Sequence, residues 1–552
     1  MKNFKSSLLG RLIHLIHQEI NLSNSKRTSF SPSRRKFIGN SSKAAAGIAV
    51  GLTVPSFLSS CGTSTPKQDI EDSLLEVAIL GAGMAGLNCA NHLLSSGIRF
   101  KIFDADRRCG GRILTHYNDA LQLGIFPELG GDFIDSNHKD MIALAKEFQL
   151  DLLDLIAEQE KEGWVKDIYY FDNRNISEKE IIKEFKKIAP KLVSDIDALG
   201  ENYDTPEAET LDNMPLSNYI QQLHCAKWLK DLLDAAFVAE YGLDTNEQST
   251  LNLLSIIDPN TDEGFKVFGS SDERFRIKGG NSKLIEALVD KVGKENISLN
   301  HEVMAIDELE DGSYNISFKN KEVVRAKTIV CTIPFTILRT ISLNLKDLSA
   351  NKRKCIDELG YGNNTKLVLG YKGQPWRNKK NNAMGYVFTK DMVNGWDGTS
   401  NTSDNNTNGA YVAYFGGTFS KNLAVVSFKN PLAPPTHVWR TELPKEQVTE
   451  RVNQLGAIFK QSKEQFLDKH VFVNWIDYPF VKASYSCYKP GQWTTIAGLE
   501  MLPVGNCYFA GEHCSEQFQG FMNGAAETGR HVAEVLMMKA TTPSSSPNEV
   551  RR

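Results

Sequence analysis

The apolar positions of this 552-residue chain change period several times, and each change predicts an element. Leu74 to Leu80 is a short, mostly apolar run, the pattern of a buried strand. From Met84 to Ser96 the spacing becomes helical. Ala85, Cys89, Leu93 and Leu94 supply one face, and Gly97 stands where such a helix stops. Ile98, Phe100 and Ile102 then alternate with Arg99 and Lys101, which predicts the next strand. Strand, helix and strand within about 30 residues form the βαβ unit that opens a dinucleotide-binding fold.

Further along, residues 137–267 carry mostly helical spacing, clearest in Met141–Leu150, Glu178–Leu199 and Cys225–Phe237. From Phe268 the pattern returns to short strands, Ile297–Leu299, Tyr314–Phe318 and Thr328–Thr332, around one helix at Asn281–Val292. Lys366–Tyr371 and Gly409–Phe415 predict strands of a second sheet, with the Asn/Thr-rich stretch Asn401–Asn408 as a surface loop between them. No internal repeat is visible. A chain of this length is expected to hold two domains.

Composition narrows the field without choosing a function. Hydrophobic residues make up 41% and charged residues 24%, the balance of an ordinary globular protein. A formal charge of −4 and no Lys/Arg stripe argue against a nucleic-acid partner. The nine cysteines are scattered, with no CxxC and no Cys/His cluster, so neither a metal site nor a disulfide framework is expected.

The N-terminus reads as an address. Ser33-Arg34-Arg35-Lys36-Phe37-Ile38 is a twin-arginine pattern, followed by an apolar run from Ala44 to Leu58. That run is shorter than the roughly 20 residues of a membrane span and fits a signal core. Leu58-Ser59-Ser60-Cys61 resembles a lipobox, with Cys61 as the lipidated residue. The expectation is a folded protein carried by the twin-arginine translocase and held in the periplasm as a membrane-anchored lipoprotein. Residues 1–61 would be the signal and 62–72 a linker. The Ser/Pro-rich tail 541–552 is expected to be disordered.

The chemistry begins at Gly81-Ala82-Gly83-Met84-Ala85-Gly86, between the first strand and its helix. A GxGxxG turn lets backbone N–H groups and a helix N-terminus approach a diphosphate. A glycine-rich turn alone is weak, but here Asp104 ends the second strand, where an acidic side chain binds ribose hydroxyls. NAD and FAD both fit these residues.

The run Asp104-Ala105-Asp106-Arg107-Arg108-Cys109-Gly110-Gly111-Arg112 resembles a run of the flavin amine oxidase family. Glu128-Leu129-Gly130-Gly131-Asp132-Phe133-Ile134-Asp135, His301-Glu302-Val303 and Thr332-Ile333-Pro334 continue the likeness in order. Tyr508-Phe509-Ala510-Gly511-Glu512-His513 and Gly520-Phe521-Met522-Asn523-Gly524-Ala525 complete it. The resemblance runs from about Glu76 to Ala533; 150–270 and 380–470 are not diagnostic.

That resemblance implies a glutathione-reductase-like α/β fold. A Rossmann FAD-binding domain would be assembled from 73–136, 268–340 and 471–540, with an inserted α+β substrate domain from 137–267 and 341–470. Arg108, Gly110, Gly111 and Arg112 would hold the flavin diphosphate and neighbouring groups, and Gly130, Gly131, Asp132 and Phe133 would pass along the flavin ring. Val303 would read the adenine through its backbone, with Thr332 at a strand-to-proline turn. Gly511 and Glu512 would approach the diphosphate and ribityl chain, and Gly520, Phe521 and Met522 would belong to the segment at the pyrimidine edge of the flavin.

The resemblance also implies a flavin monoamine oxidase, an amine:oxygen oxidoreductase passing a hydride from the amine carbon to flavin N5. Lys366 falls where the family carries a lysine bridged by water to N5. A strand lysine is ordinarily a solvated surface group, but apolar residues follow Lys366. Tyr485 and Phe521 match the two rings of the substrate cage, Phe521 replacing the commoner tyrosine. Trp475 reads better as a core tryptophan than as a further wall. Ser484 stands where animal monoamine oxidases carry a cysteine bonded to the flavin, and Cys487 is three residues out of register, which implies non-covalent FAD.

L-Amino-acid oxidases of the same family carry an arginine just after this Gly-Gly pair; here Asp132 follows, and Asp135 lies close by. The missing clamp favours an amine over an amino acid. In the pocket either aspartate would favour a cation, but both are expected to be structural, bonded to backbone or to Arg112. The substrates are then a small amine and O2. An L-amino-acid oxidase, an amine dehydrogenase using a quinone-type acceptor and a non-catalytic FAD-binding module are the alternatives. Flavin bleaching by amines, by amino acids or by neither separates them, and reoxidation in air distinguishes oxidase from dehydrogenase.

Overall fold

The computed structural model describes residues 74–117, 121–390, 392–399, 406–427, 440–441 and 443–541. The twin-arginine segment, Cys61, the linker and the tail beyond Thr541 lie outside them, as does most of the expected Asn/Thr loop.

Two large sheets organise these residues. In the first, Leu74–Leu80 pairs in parallel with Phe100–Phe103, which pairs in parallel with Ile297–Ser298. On the other side of Leu74–Leu80 runs Val323–Cys331. One end of that strand takes Cys507–Phe509 in parallel, and the other takes Tyr314–Phe318 antiparallel. Val303–Glu308 and Ser342–Asn344 complete the sheet.

The first strand sinks into the core along its length, with Ile79 and Leu80 wholly buried. The helix Met84–Leu93 that follows buries every residue except His92, which explains its small side chains. The last helix, Met522–Thr541, crosses it so closely that a Cβ on Gly529 would lie 2.2 Å from the Ala85 carbonyl oxygen. Asn88 Nδ2 also donates to the Ala526 carbonyl at 2.7 Å. The first and last helices of the described residues are therefore in direct contact.

The second sheet has Thr365–Tyr371 near its centre, flanked antiparallel by Gly409–Phe415 and Phe466–Asn474. All seven residues of Thr365–Tyr371 are buried, so its side chains, Lys366 included, face protein on both sides. Val393–Asp397, Ala383–Thr389, Val165–Phe171 and Arg174–Ile176 extend the sheet in that order. The helices of the 178–257 region form one apolar cluster against it, with Leu229, Leu232, Leu233 and Phe237 at its centre.

Several elements differ from the spacing-based expectation. Val165–Phe171 is a strand inside a region read as helical; its Ile168-Tyr169-Tyr170-Phe171 run has β-branched and aromatic character. Glu178–Leu199 is two helices, Glu178–Phe185 and Ala189–Ala198, because Pro190 lacks the N–H that would continue the first. Phe466–Asn474 belongs whole to the second sheet and Ser342–Asn344 to the first, so the sheets change over a few residues from the anticipated boundaries. The eight described cysteines are free thiols.

Candidate active site

A cavity of about 410 Å³ joins the glycine turns of the first sheet to aromatic and acidic residues of the helical region and the second sheet. Its dinucleotide side is built from backbone. Gly81 has φ +116°, and a Cβ there would lie 2.3 Å from Thr332 Oγ1, so only glycine fits. Gly83 is the N-cap of Met84–Leu93, and a Cβ there would meet nothing within 4 Å. This open helix N-terminus, with Met84 and Ala85 lining the cavity beside it, fits a diphosphate. Gly86 is the expected site residue that does not line the cavity. Its Cβ would fall 2.0 Å from the Gly81 carbonyl oxygen, so it closes the turn instead.

Asp104 ends the second strand, where its carboxylate accepts from the backbone N–H of Ala82 at 2.5 Å and Asp106 at 2.8 Å. Burial pushes its pKa up to about 6 despite these bonds. An acidic group held by backbone at a cavity wall fits the hydroxyl pair of a ribose. Gly110 bonds back to the first turn through its N–H to the Ala82 carbonyl at 2.8 Å. Gly111 has φ +55° and lines the same wall, as do Ala105 and Val303. Arg108 lines the cavity but folds its guanidinium onto its own turn, donating to the carbonyls of Gly111 and Cys109 at 2.5 and 3.1 Å.

Arg112 joins the distant halves of the site. It donates to Glu512 Oε1 and to the Ser484 carbonyl, each at 2.8 Å. Glu512 also accepts from Ser486 Oγ at 2.6 Å and from the Gly520 N–H at 2.9 Å. Burial would raise this carboxyl, but Arg112 and the bonds hold it below the usual range. Glu512 thus anchors the turn carrying Gly520, Phe521 and Met522, while Gly511 at φ +144° lets the chain turn in from the strand Cys507–Phe509. Gly131 faces Met522: a Cβ would lie 2.7 Å from Sδ. Gly130 has no room either, since its Cβ would lie 1.8 Å from the Arg112 carbonyl oxygen.

Asp132 corrects an expectation. Its partners are Arg276 at 2.8 Å, Lys366 at 3.1 Å and Trp396 Nε1 at 2.9 Å, whereas Arg112 is taken by Glu512. Burial alone would raise Asp132, but Arg276 and Lys366 hold it below the ordinary carboxylate range. Asp135 does bond backbone, accepting from the Glu273 N–H at 2.9 Å.

Lys366 donates to the carbonyls of Gly130 at 2.7 Å and Glu128 at 3.2 Å, as well as to Asp132. An ammonium has three protons, so in this arrangement all are used by protein, and the family's water bridge has none to spare. Trp475 is buried, as expected, with Nε1 donating to the Leu129 carbonyl at 2.8 Å, yet it also lines the cavity. Tyr485 donates to the Ala239 carbonyl at 3.0 Å and shares a hydrogen bond with Tyr414 at 3.1 Å. Phe521 packs edge-on to His138, with centroids 5.1 Å apart.

Ser484 Oγ donates to Asn364 Oδ1 at 2.6 Å. Cys487 is buried, takes a 3.4 Å contact from Asn252 Nδ2, and does not line the cavity. No thiol therefore stands at the place a covalent tether needs, and the residues fit FAD held by non-covalent contacts.

Sequence reasoning missed a second set of lining residues, among them Glu240, Glu273, Tyr386, Trp396 and Tyr414. Trp396 packs at a tilt against Tyr414, with centroids 5.1 Å apart, and edge-on against Phe133 at 5.3 Å. One local signal was available: Glu240 directly follows the wholly apolar stretch Ala235-Ala236-Phe237-Val238-Ala239.

The flavin containing amine oxidoreductase family model matches residues 84–537, and the chain belongs to this family. Flavin-containing amine oxidase A of Canis lupus familiaris is 22% identical over 495 residues, covering 86% of this chain and 87% of its own. Flavin-containing amine oxidase B of Homo sapiens is 23% identical over 485 residues, covering 84% and 86%. Among solved structures, cyclohexylamine oxidase from Brevibacterium oxydans gives a TM-score of 0.70 at 19% identity, over 85% of this chain and 100% of that one. Wild-type putrescine oxidase bound to putrescine gives 0.68 at 17% identity, over 84% and 99%. The fold is that of FAD-dependent amine oxidases, an α/β FAD-binding part with a substrate-binding part, and the cofactor is FAD.

Proposed function

We propose that the protein oxidises a primary amine in the manner of a monoamine oxidase: amine, O2 and water give aldehyde, ammonia and hydrogen peroxide. Bound FAD supplies the acceptor for the hydride equivalent leaving the amine carbon. The protein's part is to orient the amine and keep the reacting centre dry. Tyr485, Phe521, Trp396 and Tyr414 offer ring faces that attract an amine and surfaces that exclude water. Lys366 and Asp132 fix the Gly130–Asp132 backbone from behind.

The observation that carries the reading is one cavity lined both by the glycine turns and by this aromatic chamber, with Lys366, Tyr485 and Phe521 in its wall. The choice of amine over amino acid rests on charge. The arginines lining the cavity are Arg108, folded on its own turn, and Arg112, paired with Glu512. The chamber itself presents the acids Glu240 and Glu273, which offer a substrate carboxylate no cation to pair with. Anaerobic mixing of the flavin-loaded protein with panels of amines and amino acids tests this. Bleaching by amines alone is expected, followed by recovery in air; bleaching by amino acids alone would overturn the choice, and no recovery in air would overturn the use of O2.

We further propose export by the twin-arginine route with a lipid on Cys61, supported by the order of Arg34-Arg35, the apolar run and Cys61. Retention of an Arg34→Lys/Arg35→Lys variant in the cytoplasm is the expected result.

A further inference from the structure

The chamber holds more acidic side chains than the oxidation of a single amine requires. Glu240 ends the buried face of the helix Lys227–Tyr241, lines the cavity, and has no hydrogen bond or ion pair among the described residues. The one charge that acts on it appreciably is another acid, Asp135. Glu273 lines the same chamber in a left-handed conformation, φ +51°, that L side chains rarely adopt. Its N–H is held by Asp135 and its Oε1 accepts from Tyr386 Oη at 3.1 Å. Strain of this kind persists where the surrounding structure enforces it, and it clusters at ligand sites.

Among the described residues no strong cation is paired with these acids. His138 lies 3.4 Å from Asp135, but burial lowers it to about 4, so at neutral pH it is an uncharged neighbour. The exposed Lys166 is the least of the influences on Asp135 and Glu273, and Asp272 adds negative charge to Asp135. Tyr414 and Tyr485, which feel Glu240, are phenols raised by burial and stay neutral. Among the described residues no cluster of His, Cys, Asp and Glu has the arrangement to hold a metal ion. Nor do these carboxylates suit the reacting amine, which must be neutral to be oxidised; an anion beside it would hold it as the ammonium.

We infer that Glu240, with Glu273 and Asp135, binds a second, non-reacting ammonium, so that the preferred substrate is a diamine or polyamine rather than a simple monoamine. This rests on the amine-oxidation reading and narrows it. Glu240 is raised to about 7 by burial and by Asp135, and burial and the neighbouring acids hold Glu273 well above its ordinary value. A distal ammonium would therefore displace protons from this group as it binds.

Binding is measured by calorimetry on the flavin-loaded full chain, reduced with dithionite and kept free of oxygen so that no turnover follows. Straight-chain diamines are compared with monoamines of matched length. The expected result is diamine affinity at least about tenfold higher, heat that varies with the ionisation enthalpy of the buffer, and loss of both in Glu240→Gln. Equal affinity for the two series in the unsubstituted protein would overturn the inference without depending on how the variant folds. So would a diamine preference that Glu240→Gln leaves intact in a variant with an unchanged flavin spectrum. If diamines bind in this way but bleach the oxidised flavin no more than a buffer blank, the subsite stands and the oxidation reading fails.

Discussion

Asp132 serves Arg276, Lys366 and Trp396 at once. Removing its charge leaves two buried cations facing a neutral amide. Asp132→Asn is therefore expected to cost about 3–5 kcal/mol in denaturant unfolding. Lys366→Met leaves Asp132 paired with Arg276, so its stability loss should be clearly smaller, with FAD retained and flavin reduction or reoxidation slowed in stopped flow. Equal losses in the two variants would mean that Lys366, not Arg276, balances Asp132. At this scale the glycines and Asp104 were legible in the sequence because each belongs to a local pattern, whereas Lys366 was placed by resemblance and its bonds to Glu128, Gly130 and Asp132 were not foreseen. Arg276, Trp396 and Glu273 were not, because their roles arise only when the second sheet and the segment before Phe275–Ile277 come together. The pairing of Asp132 was misread for the same reason: Arg112 is near in sequence, but its partner is Glu512.

Among the elements, the crossing of Met84–Leu93 with Met522–Thr541 bears most directly on the cofactor, because it fixes the helix N-terminus at Gly83. Gly529→Ala would place a methyl carbon 2.2 Å from a rigid backbone carbonyl. The helices must part, at an expected cost of about 1–3 kcal/mol and with weakened FAD retention. Gel filtration with flavin absorbance, alongside thermal unfolding, checks this; a variant matching the parent in both would show that the crossing is slack. The first βαβ unit was readable because its periods switch cleanly. Val165–Phe171 was hidden inside a helical region, and its strand character is fixed by parallel pairing with Ala383–Thr389, more than 200 positions away.

For the molecule as a whole, buried titratable groups set opposing pH dependences. Burial raises Glu128, Glu500 and Glu527 to about 7. A raised carboxyl stabilises fully below its unfolded value, and that contribution is lost as pH rises through about 7. Burial lowers His138, His513 and His531 to about 4 from 6.5, so their contribution is present above 6.5 and lost as pH falls toward 4. The raised carboxyls, Asp104, Glu240 and Glu273 among them, outnumber the lowered histidines. Urea midpoints are expected to fall modestly from about pH 5 to 7, and to fall steeply below about 4.5 as the lowered carboxyls of Asp132 and Glu512 protonate. A steady rise from pH 5 to neutrality would show that the glutamates are already ionised.

The Arg112–Glu512 pair spans 400 positions of chain. During synthesis, the glycine turns leave the ribosome long before the turn and helix that complete their cavity. A nascent chain therefore has no finished pocket until Glu512 and the turn through Met522 have emerged, and cofactor capture waits on them. If the protein leaves the cytoplasm folded, flavin supply at that moment sets how much of it is fit to leave.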